Sequence, residues 1–307
     1  MNRLDPEKRA QVVSALVEGN SIRAVARMTG IARNTITGLL VDLGTACAEF
    51  KDNALRNLPC KRIQCDEIWA FCYAKDKNVP ANKQGQFGFG SIWTWTAIDA
   101  DTKLIASWMV GTRDMESAHE FMQDLVGRLA NRVQLTTDGH HPYLEAVDYA
   151  FGGDVDYAML VKVYGGSEEA EKRYSPAKFV AAEKRTISGN PSRKHISTSF
   201  VERQNLTMRM SMRRFTRLTN GFSKKVENHI AAVSLHFLHY NFARIHETLK
   251  VTPAMAAGVT DRLWEVSDVV RLLENWQGHQ QRERDMERAA RLLGVPVSSL
   301  PKKGRIC

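Results

Sequence analysis

Cysteine is scarce in this chain. Its five residues, Cys47, Cys60, Cys65, Cys72 and Cys307, are odd in number and form no CxxC. That argues against a disulfide framework and a structural zinc site, and it fits a reducing compartment. Long apolar runs are missing too. Nothing approaches the ~18 uninterrupted apolar residues of a membrane helix, and the N-terminal stretch lacks a signal peptide's apolar centre. The expectation is a cytoplasmic protein with no membrane partner. No internal repeat or low-complexity tract occurs. Acids are outnumbered, 34 against 43 Lys and Arg, which leaves a net charge of +9 and points towards a polyanionic partner. What is present is ordinary. Hydrophobic residues make up 43% and charged residues 25% of 307 residues, which suits about two domains with a sizeable core.

Residues 1–48 read as a domain of three short helices. The first has Pro6 near its start and Val12, Val13, Leu16 and Val17 at helical spacing. Ser21 can cap the second, and Thr29-Gly30 breaks it. The third begins near Ala32. Residues 49–60 lack periodicity and end in Leu58-Pro59, which reads as a linker. Over 61–258 the order is strand, strand, strand, helix, strand, helix, strand, followed by two helices. This is the order of a ribonuclease-H-like α/β domain, whose mixed sheet carries helices on both faces. Residues of about 165–197 are polar and basic and read as an insertion or long loop. Residues 259–307 read as a helical, charge-rich tail.

The first domain has helix-turn-helix spacing. Ala26 sits where two helices approach closely, Gly30 lies at the turn, and Ile36 and Leu39 supply an inner face. The outward residues of the third helix are then Arg33, Asn34, Thr35 and Thr37, whose groups suit base edges and phosphates of double-stranded DNA.

Three acids stand out in the second domain. Asp66 lies among apolar and aromatic residues in the first strand, where a carboxylate costs several kcal/mol without a partner or metal. Asp138 ends the fourth strand, the neighbour of the first in a sheet of this order. Glu202 lies in the first turn of a later helix. Converging, they would hold Mg²⁺ or Mn²⁺ through oxygen, and two such ions ~3.5–4 Å apart can clamp an in-line phosphoryl displacement. Glu67 points to the opposite sheet face in a regular strand, and Asp99 precedes a turn. His140 and His141 follow Asp138 and are accessory candidates for proton transfer or phosphate contact. The histidines His229, His236 and His239 read as core or interface residues, and Trp93, Trp95 and Trp108 as sheet packing.

The segments QCDEIWAF, TTDGHHPY and STSFVERQNLTMRMSMRRFTRLTNGFSKK resemble the three catalytic blocks of bacterial transposases of the insertion-sequence-one family. HYNFARIHETLKVTPAMAAG resembles the segment that closes the catalytic domain in many DDE transposases and integrases. The resemblance covers roughly residues 60 to 258 and implies Asp66, Asp138 and Glu202 as the acid trio. It also implies binding of terminal inverted repeats by the helix-turn-helix, and a homo-oligomer on paired ends. Water would free a 3′-hydroxyl, which then attacks target DNA in line. The cysteine-rich zinc segment of many relatives has no counterpart in this sequence. The alternatives are a domesticated DNA-binding regulator and a ribonuclease-H-like nuclease that cuts without joining.

The catalytic helix carries one further expectation. On a regular helix over 199–215, Val201, Met208, Met212 and Phe215 form one apolar stripe. Arg209 and Arg213 fall within about 20° of Glu202, at roughly 10 and 16 Å along the axis. That row predicts a DNA strand led into the site.

Overall fold

The structure is a computed structural model and describes residues 4–165, 179–216 and 219–293. It divides into two compact units, residues 1–55 with 210–307, and residues 56–209.

Unit 1 begins with α1 (Pro6–Val17), α2 (Ile22–Thr29) and α3 (Arg33–Ala54). The caps follow from the sequence. Asp5 accepts from the Lys8 amide at 2.8 Å and Ser21 from the Ala24 amide at 3.1 Å, each satisfying a donor that the first helical turn leaves open. Gly30 ends α2 at φ 70°, a left-handed conformation open to glycine.

Unit 2 is built on one six-stranded sheet: β1 (Arg62–Cys72), β2 (Gly90–Asp99), β3 (Ile105–Gly111), β4 (Val133–Thr137), β5 (Val155–Tyr164) and β6 (Phe179–Ser188). The spatial order is β3-β2-β1-β4-β5-β6. The β1–β4 and β4–β5 pairs are parallel and the others antiparallel. Helix α4 (Met115–Val126) links β3 to β4, α5 (Pro142–Phe151) links β4 to β5, and α6 (Ser199–Ser211) follows β6. This is a ribonuclease-H-like mixed α/β fold. One core cluster centres on Trp95, whose ring lies 5.7 Å from Phe121 of α4 and 5.4 Å from Tyr143 of α5, all fully buried.

The chain then returns to unit 1 with α7 (Val226–Phe242), the short α8 (Pro253–Ala256) and α9 (Val266–Leu293). Helices α3 and α7 lie very close. A Cβ added to Gly44 would stand 2.3 Å from the Ala231 Cα, so only glycine fits. Phe50, Phe242 and Trp264 form a ring cluster with centroids 4.9–5.3 Å apart.

These contacts correct the expected boundaries. Residues 49–54 are the last turns of α3 rather than a linker, because Phe50 is held by Phe242 and Trp264. Residues 210–258 belong with the N-terminal helices, not with the sheet. The expected tail is helical up to Leu293; its first turns are buried through Val269, Val270 and Leu273, and residues 294–307 lie outside the described residues. Part of the expected insertion is β6, an edge strand exposed on both faces, which is why no apolar alternation marks it. Residues 166–178 of that insertion lie outside the described residues. Among the described residues no helix is long and apolar enough to cross a membrane.

Candidate active site

The β1–β4 register assembles the site. Gln64 pairs with Thr136, and the pairing stops there. Asp66 and Asp138 each lie two residues further along, so both carboxylates leave the same side of the sheet. A slip of one residue would have sent them to opposite faces.

Strand β1 also positions α6. The Gln64 side chain, on the same face as Asp66, accepts the backbone N–H groups of Phe200 at 2.8 Å and Val201 at 3.3 Å. It caps a helix start from a distant strand. Glu202 stands in the first turn of α6. Its Oε1 accepts from the Thr198 hydroxyl and its Oε2 pairs with Lys162 of β5. Asn205, one turn later, donates to Asp66 Oδ2 at 2.8 Å.

On the other face, Glu67 is buried against Arg113, whose Nε donates to Glu67 Oε2 at 3.1 Å. The same guanidinium reaches Asp138 Oδ2 at 3.7 Å and lies 4.8 Å from the Trp93 ring. Oxygen atoms of Asp66, Glu67 and Asp138 all fall within 4.8 Å of one another. Glu67 does start towards the opposite face. It joins the cluster because β1 outruns its pairing with β4 and no strand separates the two faces there.

Crowding shows in the protonation equilibria. Burial, and then the Asp138 carboxylate, push Asp66 up to about 7. The same causes push Glu67 up to about 8, with the Arg113 charge opposing. Glu202 adds to the Asp66 shift, and Lys162 opposes it. Glu67 Oε1 is buried without a hydrogen bond of ordinary geometry, with the Tyr143 hydroxyl beside it. An oxygen-only cluster with a spare buried acceptor fits a hard divalent cation such as Mg²⁺ or Mn²⁺.

The histidines differ. The His140 backbone N–H donates to Asp138 Oδ1 at 2.9 Å, and its ring lies 5.8 Å from Trp95 and 5.9 Å from Tyr143. Burial, helped by Arg113, holds it below the ordinary histidine value. His141 is exposed at the start of α5 and makes no side-chain cap.

Helix α6 corrects one expectation. It ends at Ser211, and Met212 is extended at φ −128°, ψ 111°. Val201, Met208, Met212 and Phe215 are all buried, but Phe215 lies in a separate 3₁₀ turn with Arg213. Arg209 stays on the helix with Glu202, whereas Arg213 leaves that row. A long-range contact intrudes at the break: a Cβ on Gly19 would stand 2.9 Å from the Ser211 carbonyl oxygen. Periodicity carries no trace of it.

In unit 1, Arg33, Asn34 and Thr35 are exposed at the start of α3, as outward positions should be. The Thr37 hydroxyl turns back to donate to the Arg33 carbonyl at 2.9 Å. Arg23 and Arg27 of α2 line the same surface as Arg33 and Asn34, and the sequence analysis did not name them. Gln64, Arg113, Lys162 and Asn205 went unnamed as well, and Glu67 was set aside as facing the opposite side of the sheet. Two of these had a readable signal: Gln64 shares the strand face of Asp66, and Asn205 shares the helix face of Glu202. Nothing local marks Arg113 or Lys162.

The carboxylates of Asp66, within β1, and Asp138, just beyond β4, thus meet on a ribonuclease-H-like sheet. Residues 90–209 match the family model described as "DDE domain", a span that contains Asp138 and Glu202 and begins after Asp66. Over that span the chain is similar to DDE transposase domains. No curated protein matches the chain. Among solved structures it is similar to the piggyBac transposase in its synaptic complex with hairpin DNA, at 13% identity and a TM-score of 0.40, over 99% of this chain and 78% of that one. So distant a likeness carries no functional weight.

Proposed function

We propose that this protein is a DDE-type DNA transposase. It would bind the terminal inverted repeats of its element through Arg33, Asn34 and Thr35, and cleave and join phosphodiesters at the acid site as an oligomer on paired ends. The narrower assignment to the insertion-sequence-one family rests on the residues of the three blocks. The observation that carries the reading is the meeting of Asp66 and Asp138 two residues beyond a shared register pair, with Asn205 of the helix that carries Glu202 bonded to Asp66; Glu202 itself is not among the acids that cluster within 4.8 Å.

Asp66, Asp138 and Glu202 would hold the divalent cations. Bound there, Mg²⁺ or Mn²⁺ supplies charge stabilisation for an in-line displacement at phosphorus. Glu202 suits this role because its partner is the flexible ammonium of Lys162, which can move aside. Glu67 is instead tied to Arg113 and steadies Asp138 through that guanidinium. Asn205 fixes the Asp66 rotamer. Arg209, on the helix of Glu202, is suited to a DNA phosphate by its two-pronged donor geometry.

The test uses purified protein, Mg²⁺ and DNA carrying the element's ends. Asp66→Asn, Asp138→Asn and Glu202→Gln should each lower cleavage on the order of 10³-fold or more while end binding persists. Full strand transfer by any one of them would refute the assignment.

A further inference from the structure

Unit 1 contains a cleft of about 920 Å³. Its walls come from the α1–α2 turn, the first turns of α3, the stretch after α6, and α7. Five cationic residues line it, Arg23, Arg33, Arg213, Arg214 and Lys224, and no Asp or Glu is among the lining residues. At the chain's own ratio of 34 acids to 43 bases, about four acids would accompany five bases. Four of the cations are exposed, and Arg214 is steadied by donating to Ser223 Oγ at 2.8 Å.

A second cleft of about 560 Å³ adds Arg27 and shares Arg23, Arg33 and Asn34 with the first. The two therefore form one basic track. It runs from the outer face of the helix-turn-helix to the stretch that follows the catalytic helix. Gathering like charge without acids destabilises a fold slightly. A polyanion reverses the sign. The cations come from separate stretches of chain that line two adjoining clefts of about 920 and 560 Å³, which suits a chain of phosphates over a small anion. Amide side chains such as Asn220 and Asn228 also line the cleft and can reach sugars and base edges.

We propose that this track seats the sugar-phosphate backbone of the duplex whose bases meet Arg33 and Asn34. Arg213 and Lys224 then extend the helix-turn-helix footprint with phosphate contacts. This inference rests on the DNA-binding part of the function proposed above.

The experiment measures binding of the full chain to a labelled mixed-sequence DNA duplex by fluorescence anisotropy across a salt series. The double variant Arg213→Ala with Lys224→Ala, checked for unchanged thermal unfolding, should bind roughly 10- to 100-fold more weakly near 0.1 M salt. Its salt slope should fall by about two units. A photo-crosslinking side chain at the exposed Asn220, in otherwise native protein, should label the same duplex; this arm decides if the double variant unfolds. Native protein that binds no duplex would overturn the proposed function and this inference together. Native protein that binds, with an unchanged slope in a folded double variant, or with no crosslink from position 220, overturns this inference alone.

Discussion

The two units treat like charge in opposite ways. Unit 2 crowds Asp66, Glu67 and Asp138 within 4.8 Å, and burial moves the protonation equilibria of Asp66 and Glu67 far from ordinary values. Unit 1 strings Arg23, Arg27, Arg33, Arg213 and Lys224 along open clefts, where water screens them. A compact acid cluster suits a small, highly charged cation, whereas an extended basic track suits an extended polyanion. The difference is one of geometry more than of composition, since both sites are assembled from segments far apart in the chain.

The largest expected effect tests whether the acid cluster stores unfavourable energy. Asp66 and Glu67 hold their protons to about pH 7 and 8 when folded, against ordinary values of 3.8 and 4.5. The folded chain therefore binds more protons than the unfolded chain across that window. Metal-free stability should fall as pH rises from about 4, by several kcal/mol, and level off above about 8. Thermal or urea unfolding with a chelator present checks this. Asp66→Asn should flatten the profile and raise stability at pH 8, and Mg²⁺ should stabilise the native chain more at pH 8 than at pH 6. A flat native profile would show that the crowding carries no stored cost.

The next effect belongs to unit 1. Gly44→Val drives a side chain into the Ala231 backbone and should cost about 3 kcal/mol in urea unfolding. Gly38, on the same helix with nothing within 4 Å of an added Cβ, is the control: Gly38→Ala should be neutral or stabilising by up to about 1 kcal/mol. Equal effects at both positions would mean that α3 and α7 are not in the close contact described.

A smaller effect probes the bond between β1 and α6. Gln64→Leu removes the acceptor of the Phe200 and Val201 amides and should cost about 1 kcal/mol. Since that cap sets the start of α6, cleavage should fall by more than folding stability explains. Activity that tracks stability alone would assign Gln64 a purely structural role.

Most of the element order could be read from local pattern. The strand β1 is announced by Ile63, Ile68, Trp69 and Phe71, and α2 by Ser21 and Gly30, because side-chain shape and capping act within a few residues. The same locality let Asp66 stand out, as an acid in an apolar strand is costly wherever it occurs. The edge strand β6 went unread because it buries neither face. The end of α3 and the end of α6 went unread; the groups that meet them, Phe242 and Trp264 in one case and Gly19 in the other, come from far along the chain.

Taken by itself, then, the sequence determined most of the helices and strands, β6 apart, and which acids were worth suspecting. The tertiary structure decided the partners. The Gln64–Thr136 register put Asp66 beside Asp138, the early end of the β1–β4 pairing let Glu67 join them, and the Gly44–Ala231 contact drew residues 210–258 to the N-terminal helices. Backbone propensities act over a handful of residues, whereas register and close approach depend on groups that only the folded chain brings together.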